Sequence, residues 1–106
     1  MTTFQKREDA FEAMFAHDQE LRFKATARRN KLLGHWAAAQ LGKSGPEAEA
    51  YAKEVVMADF EEVGEEDVFR KVQADLAAGG SKATEQEIRA AMAELMAKAV
   101  TEVKAS

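Results

Sequence analysis

The chain has 106 residues, a net charge of -4, 46% apolar residues, one proline and no cysteine. That length suits one domain, and the missing cysteines exclude a disulfide framework, a thiolate metal site and a cysteine nucleophile. The acidic balance excludes a general affinity of the whole chain for nucleic acid or anionic lipid.

The first residues, Met1-Thr2-Thr3-Phe4-Gln5-Lys6, lack the apolar run of a signal peptide. No window approaches the ~18 apolar residues of a membrane span, so a soluble cytoplasmic protein is expected. Alanine, the best helix former, supplies much of the apolar content. Valine and isoleucine are few and no alternating run stands out. An all-α domain follows.

Phe4 to Leu41 is helix-compatible throughout, with one glycine and no proline. Apolar residues recur at helical spacing: Phe4, Phe11 and Phe15, then Leu21, Ala25, Leu32, Leu33 and Trp36. As a single helix it would be roughly 57 Å long. Its two halves differ, because the apolar face of the second is displaced by roughly 60° from that of the first. Asp18, Gln19 and Glu20 separate them. Gly34 costs ~1 kcal/mol relative to alanine in mid-helix, and reads as the place where another helix or the Trp36 indole approaches closely. Arg22, Lys24, Arg28, Arg29 and Lys31 scatter around the helix against Glu20. They are expected to form a solvated surface with a few structural ion pairs.

Gly42 is a natural C-terminal cap. Ser44-Gly45-Pro46-Glu47 then restarts a helix as a capping box. This second helix is expected from Pro46 to Glu61 or Glu62, burying Ala48, Tyr51, Ala52, Val55 and Val56. Gly64 breaks the chain, and Glu65, Glu66 and Asp67 favour the start of a third helix. Val68, Phe69, Val72 and Leu76 form its apolar face, and Gly79-Gly80 ends it. Thr84-Glu85-Gln86-Glu87 is another capping box, opening a fourth helix to about Val103 with Ile88, Met92, Leu95, Ala99 and Val103 as its stripe.

Short loops favour antiparallel neighbours. The expected fold is an all-α four-helix bundle with a long first helix and a mobile N-terminal extension. Helices two to four can cover roughly 25–30 Å of the first, so a surplus of about 15 to 18 residues projects beyond them. With Trp36, Leu33, Leu32 and Leu21 as core contributors, the overhang is residues 1–18 and the bundle is residues 19–106. An isolated helix of that length is marginal in water, so the extension is expected to fray or be disordered in the free protein. It carries three phenylalanines and Met14, the pattern of a segment that folds on a partner. Folding back onto the bundle and dimerisation through the Phe face are the competing readings.

Gly42-Lys43-Ser44 matches the end of a P-loop, but Ala37 stands where a glycine is needed and a helix precedes it rather than a strand. Asp59 to Gly64 resembles an EF-hand loop, yet Val63 and Arg70 occupy ligand positions. His17 and His35, 18 residues apart on one helix, are too distant to share a metal. His17 lies beside Asp18 and Glu20 and reads either as a pH sensor or as an ordinary exposed histidine. No catalytic triad or carboxylate dyad stands out, so neither an enzyme nor a metal site is expected.

The runs Phe15-Ala16-His17-Asp18, Glu20-Leu21-Arg22-Phe23-Lys24-Ala25 and Ala27-Arg28-Arg29-Asn30-Lys31-Leu32-Leu33-Gly34, followed by Trp36-Ala37, resemble one family. It is the zeta inhibitor subunit family of the alphaproteobacterial F-type ATP synthase. Asp67-Val68-Phe69-Arg70-Lys71-Val72 with Asp75-Leu76 resembles it as well, so the likeness covers essentially the whole chain. The resemblance implies a small four-helix regulatory protein, peripheral to the inner membrane through the synthase. Its N-terminal segment would become helical, insert between catalytic subunits and block rotation in the hydrolysis direction, with synthesis less affected. Mapped here, the inhibitory segment is Met1 to about Asp18. Phe4, Phe11, Met14 and Phe15 would be apolar anchors, and Lys6, Arg7, Glu8 and Glu12 polar contacts setting register. A buried anchor aromatic can be worth ~2 kcal/mol or more. The resemblance also implies weak adenine-nucleotide binding in some members, for which this chain offers no motif; no required cofactor is expected. The alternative is a small helical module that binds nucleotide or nucleic acid weakly through Arg22 to Lys31, with strong salt dependence.

Overall fold

The computed structural model describes residues 19–59 and 65–105. They form four helices: α1 (Gln19–Gln40), α2 (Pro46–Ala58), α3 (Glu66–Ala78) and α4 (Glu85–Ala105). α3 packs against each of the other three helices, while the backbones of α2 and α4 do not come near each other. The most extensive packing is that of α1 against α2 and α4. The all-α bundle expected from the sequence is the fold. None of its helices is long and apolar enough, among the described residues, to cross a membrane.

Most helix ends follow local chemistry. At the end of α1 the Lys43 N–H donates to the Ala38 carbonyl (2.9 Å) and the Gly42 N–H to that of Ala39 (3.2 Å), with Gly42 at φ 74°. The end of α3 repeats this around Gly80, with Ser81 N–H on Leu76 and Gly80 N–H on Ala77. Both are Schellman motifs, in which a left-handed residue lets the chain close the last carbonyls. The expected capping box at Thr84 is present, with Thr84 N–H on Glu87 Oε1 and Glu87 N–H on Thr84 Oγ1, each 3.1 Å. The box expected at Ser44 does not form. The N-cap of α2 is Gly45, without a side-chain cap, and Pro46 is its first residue. Ser44 therefore stands one position too early, because Pro46 sets the first helical turn. α2 also ends at Ala58, short of Glu61 or Glu62. The Asp59 N–H bonds Val56, three residues back, which tightens and closes the last turn.

The core joins Leu33, Ala37 and Ala38 of α1 to Tyr51 and Val55 of α2, Val68, Phe69, Val72 and Leu76 of α3, and Ile88 and Met92 of α4. The third helix buries the face expected of it, and the fourth buries Ile88, Met92 and Ala99 of its stripe but leaves Leu95 and Val103 half-buried. The first differs, since Leu32 and Trp36 are only half-buried while the side chains at 25, 33, 37 and 38 are fully enclosed. The reason is the close crossing of α2. A Cβ placed on Gly34 would lie 2.5 Å from the Ala52 Cα and 3.0 Å from its Cβ. With backbones this near, only small residues fit between the helices, and the indole is displaced to the edge. Gly34 thus serves the close approach read from its position. A second, smaller cluster unites Ala25 and Val100 with Leu21, Met96 and Val103.

Candidate functional site

Phe4, Lys6, Arg7, Glu8, Phe11, Glu12, Met14 and Phe15 lie outside the described residues, as do His17 and positions 60–64. The described structure does include the end of the bundle to which residues 1–18 are joined. It is built from the first turns of α1, the last turns of α4 and the junction between α2 and α3.

On one flank of α1, Leu21 and Ala25 pack against Met96, Val100 and Val103 of α4. Arg28 Nε donates to Glu102 Oε1 over 2.8 Å, and this bond holds the Glu102 carboxyl below its ordinary pKa. On the other flank a polar cluster is shut inside. Arg29 and Asn30 are both buried. Arg29 Nε donates to Asn30 Oδ1 (2.7 Å) and Arg29 Nη1 to Glu65 Oε2 (3.0 Å). Asp67, also buried, accepts the Val68 N–H at Oδ1 over 2.8 Å. Asp59 closes the group from the end of α2. Asn30 Nδ2 makes no hydrogen bond of full geometry, yet it lies near enough to Asp59 to favour the ionised carboxylate.

The cluster sets the Arg29 guanidinium against the carboxylates of Glu65 and Asp59, with Asp67 close enough to Asp59 to repel it. Burial, the largest effect, raises the Asp59 pKa; Asp67 and Glu65 raise it further, and Arg29 and Asn30 oppose them. A carboxyl whose pKa is higher folded than unfolded adds stability at acid pH and loses it as pH rises through the folded value. Asp59→Asn should therefore be more stable than the unaltered chain at pH 7. The difference should close below about pH 4, where an ordinary aspartate is itself protonated. Urea denaturation across that range measures it, and a constant difference would assign the effect to something other than titration.

Arg29 is buried rather than solvated as its sequence suggests, and Asn30 is buried beside it. Their positions did carry a signal. Ala25, Arg29, Leu33 and Ala37 share one i,i+4 row, and Asn30, Gly34 and Ala38 another. A polar residue on a row otherwise made of core residues points inward. The expected ion pairs are present: Lys24–Glu20 (3.3 Å), Arg28–Glu102 (2.8 Å) and Arg29–Glu65 (3.0 Å).

The Gly42-Lys43-Ser44 stretch sits at the opposite end. Its Gly42 and Lys43 amides close α1, so neither is presented as a phosphate cradle would require. Lys43 lines a shallow groove with Leu41, Glu47, Tyr51 and Ala78. Beside it Tyr51 donates to Asp75 (2.9 Å) and Lys71 spans Asp75 and Glu54 (3.0 and 3.2 Å). Burial and the Asp75 bond keep the Tyr51 phenol protonated. His35 Nε2 lies 3.2 Å from Glu49 Oε1, joining α1 to α2 at the surface. No group of three or more potential ligands that could hold a metal occurs among the described residues.

A family model described as ATPase inhibitor subunit zeta matches residues 1–102. The chain belongs to the ATPase inhibitor subunit zeta family. A protein whose structure was solved in solution by NMR is similar, at 56% identity and a TM-score of 0.72. The match covers 79% of this chain and 95% of that one. No curated protein matches. The resemblance seen in the FAHD and ARRNKLLG runs is thus a true family relation, and the zeta family's role is regulatory, the inhibition of an ATPase. Within this zeta-family bundle, Lys24, Arg28 and Arg29 are engaged by carboxylates of the same chain. That is a poor arrangement for a nucleic-acid surface, which needs cations free to meet phosphates.

Proposed function

We propose that the protein inhibits ATP hydrolysis by the F-type ATP synthase, its N-terminal residues entering as a helix between catalytic subunits and stopping rotation. The bundle acts as the holder of that segment at the peripheral, cytoplasmic face of the enzyme. The observation that carries this reading is the extent of the family match, which runs from residue 1 to residue 102 and so includes the N-terminal segment with the bundle. The residue chemistry agrees. Phe4, Phe11, Met14 and Phe15 form an aromatic-rich run within 18 residues, while the described helices bury one another's apolar faces. Aromatic anchors surrounded by charged residues are the usual composition of an interface centre and its rim.

The test is ATP hydrolysis by the purified catalytic head, titrated with the full chain and with residues 19–106. The full chain should inhibit. The shortened chain should remain helical and melt cooperatively, yet leave hydrolysis unaffected. Inhibition by the shortened chain would refute the mechanism.

A further inference from the structure

We infer that Phe23 is a second contact point for the same partner, an exposed aromatic on the bundle that extends the grip of residues 1–18 onto α1. The inference rests on the inhibitory reading above.

Phe23 is 62% exposed. A single exposed apolar side chain is ordinary by itself, so its position carries the weight. Phe23 lies seven residues before Asn30, on the side of α1 that also holds Gly34 and faces α2. α2 runs back along α1, since positions six residues from each end of their short connection meet at Gly34 and Ala52. α2 ends at Ala58, which puts its end level with about Arg28. Phe23 is roughly 7 Å further along, past the reach of α2. The neighbouring flank is already filled, because Leu21 and Ala25 pack under α4. The described bundle therefore covers both sides of α1 up to this point and leaves the aromatic outside. Met57, the other large exposed hydrophobic among the described residues, is on the outward side of α2.

What continues this surface is the chain itself. Phe23 follows Asp18 by five residues, about 7 Å of helix, so a partner holding Phe11, Met14 and Phe15 must have a rim within reach of it. On a continuous helix Phe23 would be turned by about 80° from Phe15. In that bound form it would meet the partner beside the surface that holds Phe15, not within it. The Glu20–Lys24 pair beside it (3.3 Å, both largely exposed) supplies the polar edge that such a rim contact normally has. The occupant is thus an apolar, charge-edged patch on the catalytic subunit next to that surface.

The experiment uses the full chain and compares three forms in the hydrolysis titration: unaltered, Phe23→Ala, and Phe4→Ala with Phe11→Ala and Phe15→Ala. Phe23→Ala should raise the half-inhibitory concentration about tenfold, the effect of truncating a contributing interface aromatic. Its melting temperature and its mass by light scattering should not change. An unchanged half-inhibitory concentration would overturn the inference. So would a lowered melting temperature, which would make Phe23 part of the fold, or an unaltered chain that dimerises until Phe23 is removed. A triple variant that still inhibits fully would defeat the reading of residues 1–18, and this inference with it. An inert triple variant beside a fully active Phe23→Ala would defeat this inference alone.

Discussion

Arg29→Met should destabilise the bundle by roughly 3 kcal/mol, about what removing one member of a buried ion pair costs. The guanidinium is buried and serves three elements together. It bonds Asn30 on its own helix and Glu65 at the head of α3, and it offsets the charge of Asp59 at the end of α2. Methionine fills part of the space but leaves Asn30 Oδ1 without its donor and sets three carboxylates against one another. Because Glu65 keeps 32% of its side chain exposed, it can turn to water, which places the loss at the low end of the buried-pair range. For a domain of this size that is on the order of 15 °C in melting temperature. Acid should shrink the deficit, since protonated carboxyls no longer repel. Arg28→Met is the control: Arg28 is itself 51% exposed in its pair with Glu102, so a much smaller change is expected. Equal losses from the two substitutions would show that the buried cluster has no special role. Lysine should not rescue position 29, because one ammonium cannot reproduce the two directed bonds of the guanidinium.

Gly34→Ala should destabilise even though alanine is the better helix former. Propensity favours the change by ~1 kcal/mol. Against it, the new methyl would sit 2.5 Å from the Ala52 Cα, a backbone atom that no rotamer change can move. The helices must separate, and overpacking of a filled contact costs typically ~1–3 kcal/mol. The net expectation is a loss of up to ~2 kcal/mol for alanine, and a larger one for valine or leucine. Ala52→Gly should fail to restore Gly34→Ala, since the obstructing atom is the Cα and not the Cβ alone. Chemical denaturation of the single and double variants decides it, and full rescue by glycine at position 52 would show that the backbones are not in contact there. The same variants carry a functional reading. Separation of α1 from α2 disturbs the base from which residues 1–18 extend, so inhibition should weaken only as far as folding does.

Much of the fold was legible because it rests on signals confined to a few neighbouring residues. Gly42 and Gly80 stop helices since a left-handed residue is needed to close the last carbonyls. Thr84 and Glu87 satisfy each other within a single turn. The valines, phenylalanine and leucine of α3 repeat at helical spacing and are all buried. Where the reading failed, a neighbour in space or one residue of phase decided. Ser44 looked like a cap until Pro46 set the first turn one position later. Trp36 looked like core until the approach of α2 reserved that face for Gly34, Ala37 and Ala38. Arg29 looked solvated because its acceptor, Glu65, is 36 residues away.

By itself the sequence determined the helical class, the main breaks between helices, the family, and the N-terminal aromatic run on which the proposed inhibition depends. These follow from composition, from periodicity and from runs of adjacent residues, all of which are local. Only the tertiary structure decided that Arg29 and Asn30 lie inside, that Gly34 is where two backbones meet, and that Phe23 stands clear of α2. Burial is a property of the surroundings that distant parts of the chain create, and the 3.6-residue period says which face a side chain occupies without saying how far the covering helix extends.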